Sequence, residues 1–221
     1  TNPSSNRLVF LPPEIVSISP TSTITQLQDK HVHPYFLSIR GGASETADAI
    51  LTTADAVGWD YISAIYTDSM EYRSAKDALL GQSESMATCV GKALALPMDA
   101  TLDDAKEVLV NLGSQVGARA VALFVKPEHL RLLLEASQAL SLAGRFVWVS
   151  PADWSHSGEN IEGLQSEVAG ALRFETHSAI LEDFNNYVRN LTYNNRMNIP
   201  EDWFFEIYET VHQCNLIDLQ A

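Results

Sequence analysis

Basic residues are scarce in this chain: 14 Lys and Arg stand against 28 Asp and Glu in 221 residues, a formal net charge of −14. A chain of that sign has no basic face to present, so neither nucleic acid nor an anionic membrane surface is an expected partner. Long apolar runs are missing as well. No stretch of 18 or more apolar residues occurs, and nothing in the sequence reads as a membrane-spanning helix. Cysteine is limited to Cys89 and Cys214, neither in a CxxC pattern, which argues against a zinc site and an internal disulfide framework. Two buried thiols fit that count, and so do two half-cystines whose partners lie outside these residues. Catalytic signatures are absent in turn. There is no GxSxG elbow and no GxxxxGK[ST] loop, and Gly41-Gly42 lacks the third glycine of a dinucleotide fingerprint. With no recognisable nucleophile–base pair, neither an enzyme nor a bound cofactor is expected.

What is present is a rhythm. A hydrophobic fraction of 46% with 19% charged residues is ordinary for a globular chain, and the length suits one large domain or two small lobes. Thr1–Ser5 reads as the start of an excised or mature segment, with no signal peptide visible. A short apolar run at 15–19 closes on Pro20, and a polar connector follows over 26–34. Then buried-type strands at 35–39, 61–67, 89–96, 120–125 and 146–150 alternate with helical patterns at 44–57, 71–86, 101–116 and 127–142. Strands apolar at nearly every position are buried on both faces, and their alternation with helices predicts a parallel sheet. The stretch 35–67 reads as one strand–helix–strand crossover. Beyond Trp154 the pattern loosens into a polar loop at 155–165, a strand at 168–175, and helices at 178–191 and 200–212.

The helix starts are chemically coherent. Thr101-Leu102-Asp103-Asp104 resembles a capping box with Asp in place of Glu. Pro127 suits a first helical position, and Leu130, Leu133, Leu134, Ser137 and Leu140 then form one stripe. Of the histidines, His31 and His33 are spaced to chelate a metal, but two solvated side chains in a polar connector describe them better. Asp103-Asp104, Glu182-Asp183 and Glu201-Asp202 fall in first helical turns, where acidic groups complement the helix dipole. Trp59, Phe124, Phe146 and Trp148 read as core, whereas Trp154 follows a strand end and suits a cleft wall or a loop anchor.

In parallel sheets ligands bind beyond the carboxyl ends of the strands. The polar groups expected there are Thr21, Thr23, Gly42, Ser44, Asp68, Ser69, Glu71, Tyr72, Ser150 and Asp153. Hydroxyls and helix-start amides can hold a carboxylate, and acidic groups opposite can hold an ammonium. The spacing fits an amino acid, a sugar or a solvated rim equally. The sequon Asn190-Leu191-Thr192 marks Asn190 as a possible glycan acceptor, which is compatible with secretion.

Several segments resemble one family. Pro34–Leu37, Gly58–Ser63, Gly117–Val121 and Gly144–Trp148 are similar to stretches of the extracellular Venus-flytrap domain of class C G-protein-coupled receptors, nearest to metabotropic glutamate receptors. The most specific match is Asn195-Arg196-Met197-Asn198 followed by Trp203–Tyr208 and Gln213-Cys214. The resemblance implies an α/β, Rossmann-like parallel sheet with flanking helices, the type I periplasmic-binding-protein or Venus-flytrap lobe. It divides the chain into a remnant of a first lobe and connector (1–34), a second lobe (35–216) and a tail (217–221). It implies an ectodomain on the outer side of the plasma membrane, anchored only through segments outside these residues, and a homodimer. It places Thr21 and Thr23 where first-lobe groups receive an amino acid and Glu71 at a second-lobe contact, and a one-residue slip brings Tyr72 and Asp153 to such contacts, beside the strand-end candidate Ser44. Cys214 then pairs with a downstream cysteine, and Cys89 links the lobe to a Cys-rich stalk.

The same resemblance exposes departures. Ala43 and Ala152 stand where the family has Asp, and Glu71 stands where it has a ligand-stacking Tyr, one residue from Tyr72. Losing two charge-assisted hydrogen bonds at about 1.5–3 kcal/mol each weakens amino-acid binding roughly a hundredfold or more. Two functions therefore compete. One is a sensing domain that closes on an amino acid or other small molecule. The other is a receptor-like domain that has lost amino-acid binding and serves as a protein-recognition or cell-surface ligand module. A solute-binding fragment of periplasmic type shares the fold by analogy alone.

Overall fold

In the computed structural model, residues 15–20, 22, 24–39, 41–114, 119–151, 161–174, 179–191 and 201–214 are described. The chain divides into two compact units, Thr1–Thr176 and His177–Ala221.

The first unit carries two parallel sheets. A small one pairs β1 (Ser17–Ser19) with β2 (Phe36–Ser38), Ser17 opposite Phe36 and Ser19 opposite Ser38. Between them lies a short helix, α1 (Thr25–Gln28), within the stretch expected to be a plain connector. The large sheet holds β3 (Tyr61–Thr67), β4 (Cys89–Leu96), β5 (Ala120–Phe124), β6 (Val147–Pro151) and β7 (Leu172–Phe174), all parallel, in the order β4-β3-β5-β6-β7. The expected α/β architecture with a parallel sheet is what the molecule has.

Four helices flank that sheet. On one face lie α2 (Ala43–Ala56) and α3 (Met70–Ser83), through Ala47, Ile50, Leu51, Ala54 and Leu79. On the other lie α4 (Leu102–Gly113) and α5 (Pro127–Ala139), through Ala105, Leu109, Leu112, Leu130, Leu133 and Leu134. The strands divide their side chains accordingly. Ala120, Ala122 and Ala64 face α2 and α3, whereas Val121, Leu123, Ile65 and Trp148 face α4 and α5. Small residues let the first pair of helices approach closely, and the bulkier face supplies most of the apolar burial, about 1.5–3 kcal/mol for each large side chain. The chain winds outward from β3 to β4, then returns across the sheet to β5. Right-handed crossovers then require α3 and α4 to lie on opposite faces, as they do.

Three expectations are corrected. The stretch 35–67 is not a crossover within one sheet: β2 pairs with β1, β3 lies in the large sheet, and the chain passes between sheets near Gly41 and Gly42. The apolar stripe of α2 packs on the large sheet, so the helix belongs with β3 rather than with β2. The strand expected at 168–175 is only Leu172–Phe174, because 161–171 folds into turns in which Gly163 and Gly170 adopt φ of +78° and +81°. That backbone is incompatible with an extended run. The helix expected at 178–191 is α6 (Glu182–Arg189), with 179–181 non-helical.

The second unit contains α6 and α7 (Glu201–His212). Within α7, rings four residues apart meet, Phe204 with Tyr208 at 5.8 Å and Tyr208 with His212 at 4.3 Å between centroids. Within α6, Phe184 and Tyr187 lie 6.4 Å apart.

Candidate functional site

The reversal of winding between β3 and β5 makes a switch point, and loops leaving the carboxyl ends of these strands splay apart there. β3 ends at Thr67, which is fully buried. Its Oγ1 accepts from the Lys126 main-chain N–H at 3.2 Å and lies 2.9 Å from His129 Nδ1. His129 stands in the first turn of α5, with 1% of its surface exposed, and also hydrogen-bonds the Met98 carbonyl beyond β4. The Lys126 ammonium donates to that same carbonyl at 2.9 Å. Burial, and next the charge of Lys126, hold the imidazole below its ordinary range. A neutral ring satisfies every group: Thr67 donates to Nδ1, and the remaining ring nitrogen donates to Met98.

The rim continues into α3. Asp68 N–H donates to the Leu96 carbonyl at 2.7 Å, and Ser69 caps the helix from an extended backbone. Asp68 and Arg73 form an ion pair across the first turn, and the Arg73 hydrogen bond keeps the Asp68 carboxyl below the usual carboxylate range. Glu71 is exposed in that turn, and Tyr72 is half-buried against the core beneath α2 and α3. One turn on, the Lys76 ammonium lies 5.4 Å from the centre of the Tyr66 ring. An acidic group and a phenol at a helix start offer a carboxylate acceptor and an aromatic wall to a small polar ligand.

Ser44 lies elsewhere. Its hydroxyl accepts from Gln82 Nε2 at 2.6 Å, and its carbonyl accepts from the same nitrogen at 3.0 Å. Gln82 is ten residues beyond Tyr72 on α3, about 15 Å at helical rise. Just ahead of Ser44, a Cβ on Gly42 would stand 2.3 Å from the Gln28 amide of α1. Beyond β1, the Ser22 carbonyl accepts from Ser38 Oγ of β2 at 3.0 Å. Thus Glu71 and Tyr72 come together at the large sheet's rim, and Ser44, held by Gln82, does not join them. Thr21, Thr23 and Asp153 lie outside the described residues, as does Trp154.

Cys89 and Cys214 are free and exposed, which overturns two buried thiols as their explanation. Asn190 ends α6 and is exposed. Among the described residues no group of His, Cys, Asp and Glu could hold a metal, and no helix is long and apolar enough to cross a membrane. Sequence reasoning passed over Thr67, Lys126 and His129. A signal existed: His129 precedes Leu133 and Ser137 by four and eight residues, on the stripe read as buried.

Residues 14–212 match the model of the receptor family ligand binding region. The chain is 28% identical over 205 residues to metabotropic glutamate receptor 6 of Rattus norvegicus, covering 91% of this chain and 23% of that protein. It is 27% identical over 207 residues to the metabotropic glutamate receptor of Drosophila melanogaster, covering 94% and 21%. With metabotropic glutamate receptor 8 of Homo sapiens it shares 26% over 205 residues, covering 92% and 22%. The chain therefore spans under a quarter of the length of these relatives.

Proposed function

The chain belongs to the family of receptor ligand-binding regions, and from that premise we propose that it is a ligand-recognition segment of a class C receptor-like ectodomain. It senses an amino acid or another small molecule by cleft closure, on the outer side of the plasma membrane. The observation that carries this reading is Glu71 and Tyr72 in one turn at the carboxyl rim, beside the switch point, within a family-matched segment. Tyr72 supplies an aromatic wall, and Glu71 with Asp153 receives an ammonium. Thr21, Thr23 and Ser44 complete the proposed recognition set. Closing a cleft between two such groups converts binding energy into a change of domain angle.

The division into a first-lobe remnant, a second lobe and a tail is part of this proposal, as is a homodimer. The exposure of Cys89 and Cys214 supports disulfides to cysteines outside this segment, and the exposure of Asn190 supports a glycan there.

Calorimetry of the complete bilobed ectodomain against an amino-acid panel tests the reading. At least one member should release or absorb heat at saturation. Tyr72→Ala should weaken that binding about tenfold or more, equivalent to about 1.4 kcal/mol. Heat from no member would sink the sensor and favour the protein-recognition module, which Ala43, Glu71 and Ala152 motivate.

A further inference from the structure

Four rim segments meet at one buried imidazole. Thr67 ends β3, Met98 follows β4, Lys126 follows β5, and His129 opens α5. Thr67 and His129 are 0% and 1% exposed, and their side chains are 2.9 Å apart. Lys126 N–H donates to Thr67 Oγ1, Thr67 Oγ1 and Nδ1 share a hydrogen bond, and the imidazole also engages the Met98 backbone; in a neutral ring protonated on Nε2, Thr67 O–H donates to Nδ1. Each group is satisfied only while Nδ1 keeps its lone pair. We propose that this cluster is a proton-sensitive latch on the ligand-side rim, closed with His129 neutral and released when Nδ1 takes a proton from solvent.

The chemistry of release is specific. A proton on Nδ1 turns it from acceptor to donor. Thr67 Oγ1 then faces two N–H donors while its own hydrogen has no acceptor in a site sealed from water, which is costly. The new charge is also buried beside the Lys126 ammonium. Of the nearby charges, only Glu128 favours the imidazolium, whereas Lys126 opposes it. Asp103 and Lys106 on α4 bridge to one another, as do Asp68 and Arg73 at the start of α3. Neither pair supplies a compensating anion.

The sign follows. An imidazole released from the latch takes a proton near pH 6.5, whereas the buried one resists until lower pH. The latch is therefore complete above about pH 6.5 and weakens as pH falls below it. Each unit of depression corresponds to about tenfold in the ratio of closed to open rim. This device depends on the fold alone and would stand even if no amino acid bound.

Two measurements on the full chain test it. Ring resonances followed from pH 8 to 4.5 should show His129 titrating below the ordinary imidazole range. Hydrogen exchange of the Lys126 amide, corrected for intrinsic rate, should lose protection about tenfold or more between pH 7.5 and 5. In His129→Gln that amide should exchange independently of pH. Should that variant not fold, Thr67→Ser retains the hydroxyl and should keep the pH step. His129 titrating within the ordinary imidazole range, or wild-type Lys126 protection flat across that range, would overturn the latch.

Discussion

Ser137 on α5 donates its hydroxyl to Glu167 Oε2 at 2.5 Å, joining residues thirty apart in sequence. The main chain of Glu167 is engaged as well, its carbonyl accepting from Trp148 Nε1 at 2.8 Å. One residue thus fastens the turns at 161–171 to both a helix and the central part of β6. Phe146 packs against Trp148 at 5.2 Å and completes the anchor.

Ser137→Ala should therefore be expensive for a conservative change. Glu167 is only 5% exposed, and a hydrogen bond to a charged group contributes about 1.5–3 kcal/mol. A loss of about 2 kcal/mol in urea denaturation is expected. Glu167→Gln keeps an acceptor for Ser137 and should lose less. If Ser137→Ala shifts the midpoint no more than a neutral surface change, the anchor does not contribute as described.

Ser63 presents the opposite case. It is fully buried in β3 opposite Val121, and its Oγ has no hydrogen-bond partner among the described residues. A desolvated hydroxyl without a partner opposes folding, so Ser63→Ala should raise stability by about 1 kcal/mol. Thermal unfolding checks this directly. A lower melting temperature in Ser63→Ala would mean the hydroxyl is satisfied by something that replaces the lost packing.

Thr101 caps α4 reciprocally. Its hydroxyl accepts from Asp104 N–H at 3.4 Å, and Asp104 Oδ2 accepts from Thr101 N–H at 2.8 Å and from the hydroxyl at 2.6 Å. Thr101→Ala should cost about 1 kcal/mol at neutral pH. The bonds from Thr101 lower the Asp104 pKa, so their stabilisation is present above the unfolded value and fades as pH falls through the folded one. The gap between wild type and variant should narrow below about pH 4. A gap that is unchanged at pH 3 would show that the carboxylate is not the partner that matters.

Much of this architecture was legible because its signals are local. Runs such as Ala120–Phe124 are apolar at every position, and the Thr101 box and Pro127 announce their helices in adjacent residues. Pairing partners are not local. Nothing in 35–39 says that β2 joins β1 instead of the sheet that receives β3, since both alternatives bury Phe36. Turn geometry likewise defeated the pattern at Gly170, where apolar neighbours suggested a strand. The candidate site was legible by halves. Glu71 and Tyr72 share a helical turn, so spacing alone joins them. Ser44 joins Gln82 across two helices, and Thr67 joins His129 across 62 residues, contacts that only the winding of the sheet creates.

Lys92 is the charged residue of edge strand β4, and its charge is directed away from solvent pairing. Its ammonium donates to the Asn111 carbonyl at 2.7 Å, to Asn111 Oδ1 at 2.9 Å and to Ser114 Oγ at 2.9 Å. These groups form the carboxyl end of α4, where unpaired carbonyls and the negative pole of the helix favour a cation. Lys92→Met keeps the aliphatic stem and removes the charge, so it isolates the capping contribution, about 0.5–1 kcal/mol at low ionic strength. Partial screening should shrink that difference in 1 M salt. Edge strands are guarded from pairing with other chains chiefly by charge. Because Lys92 already serves the helix, the variant should lose stability without gaining self-association, measured by sedimentation beside the denaturation curve. Oligomers appearing in Lys92→Met while its stability holds would reverse that assignment and make Lys92 the guard of the edge.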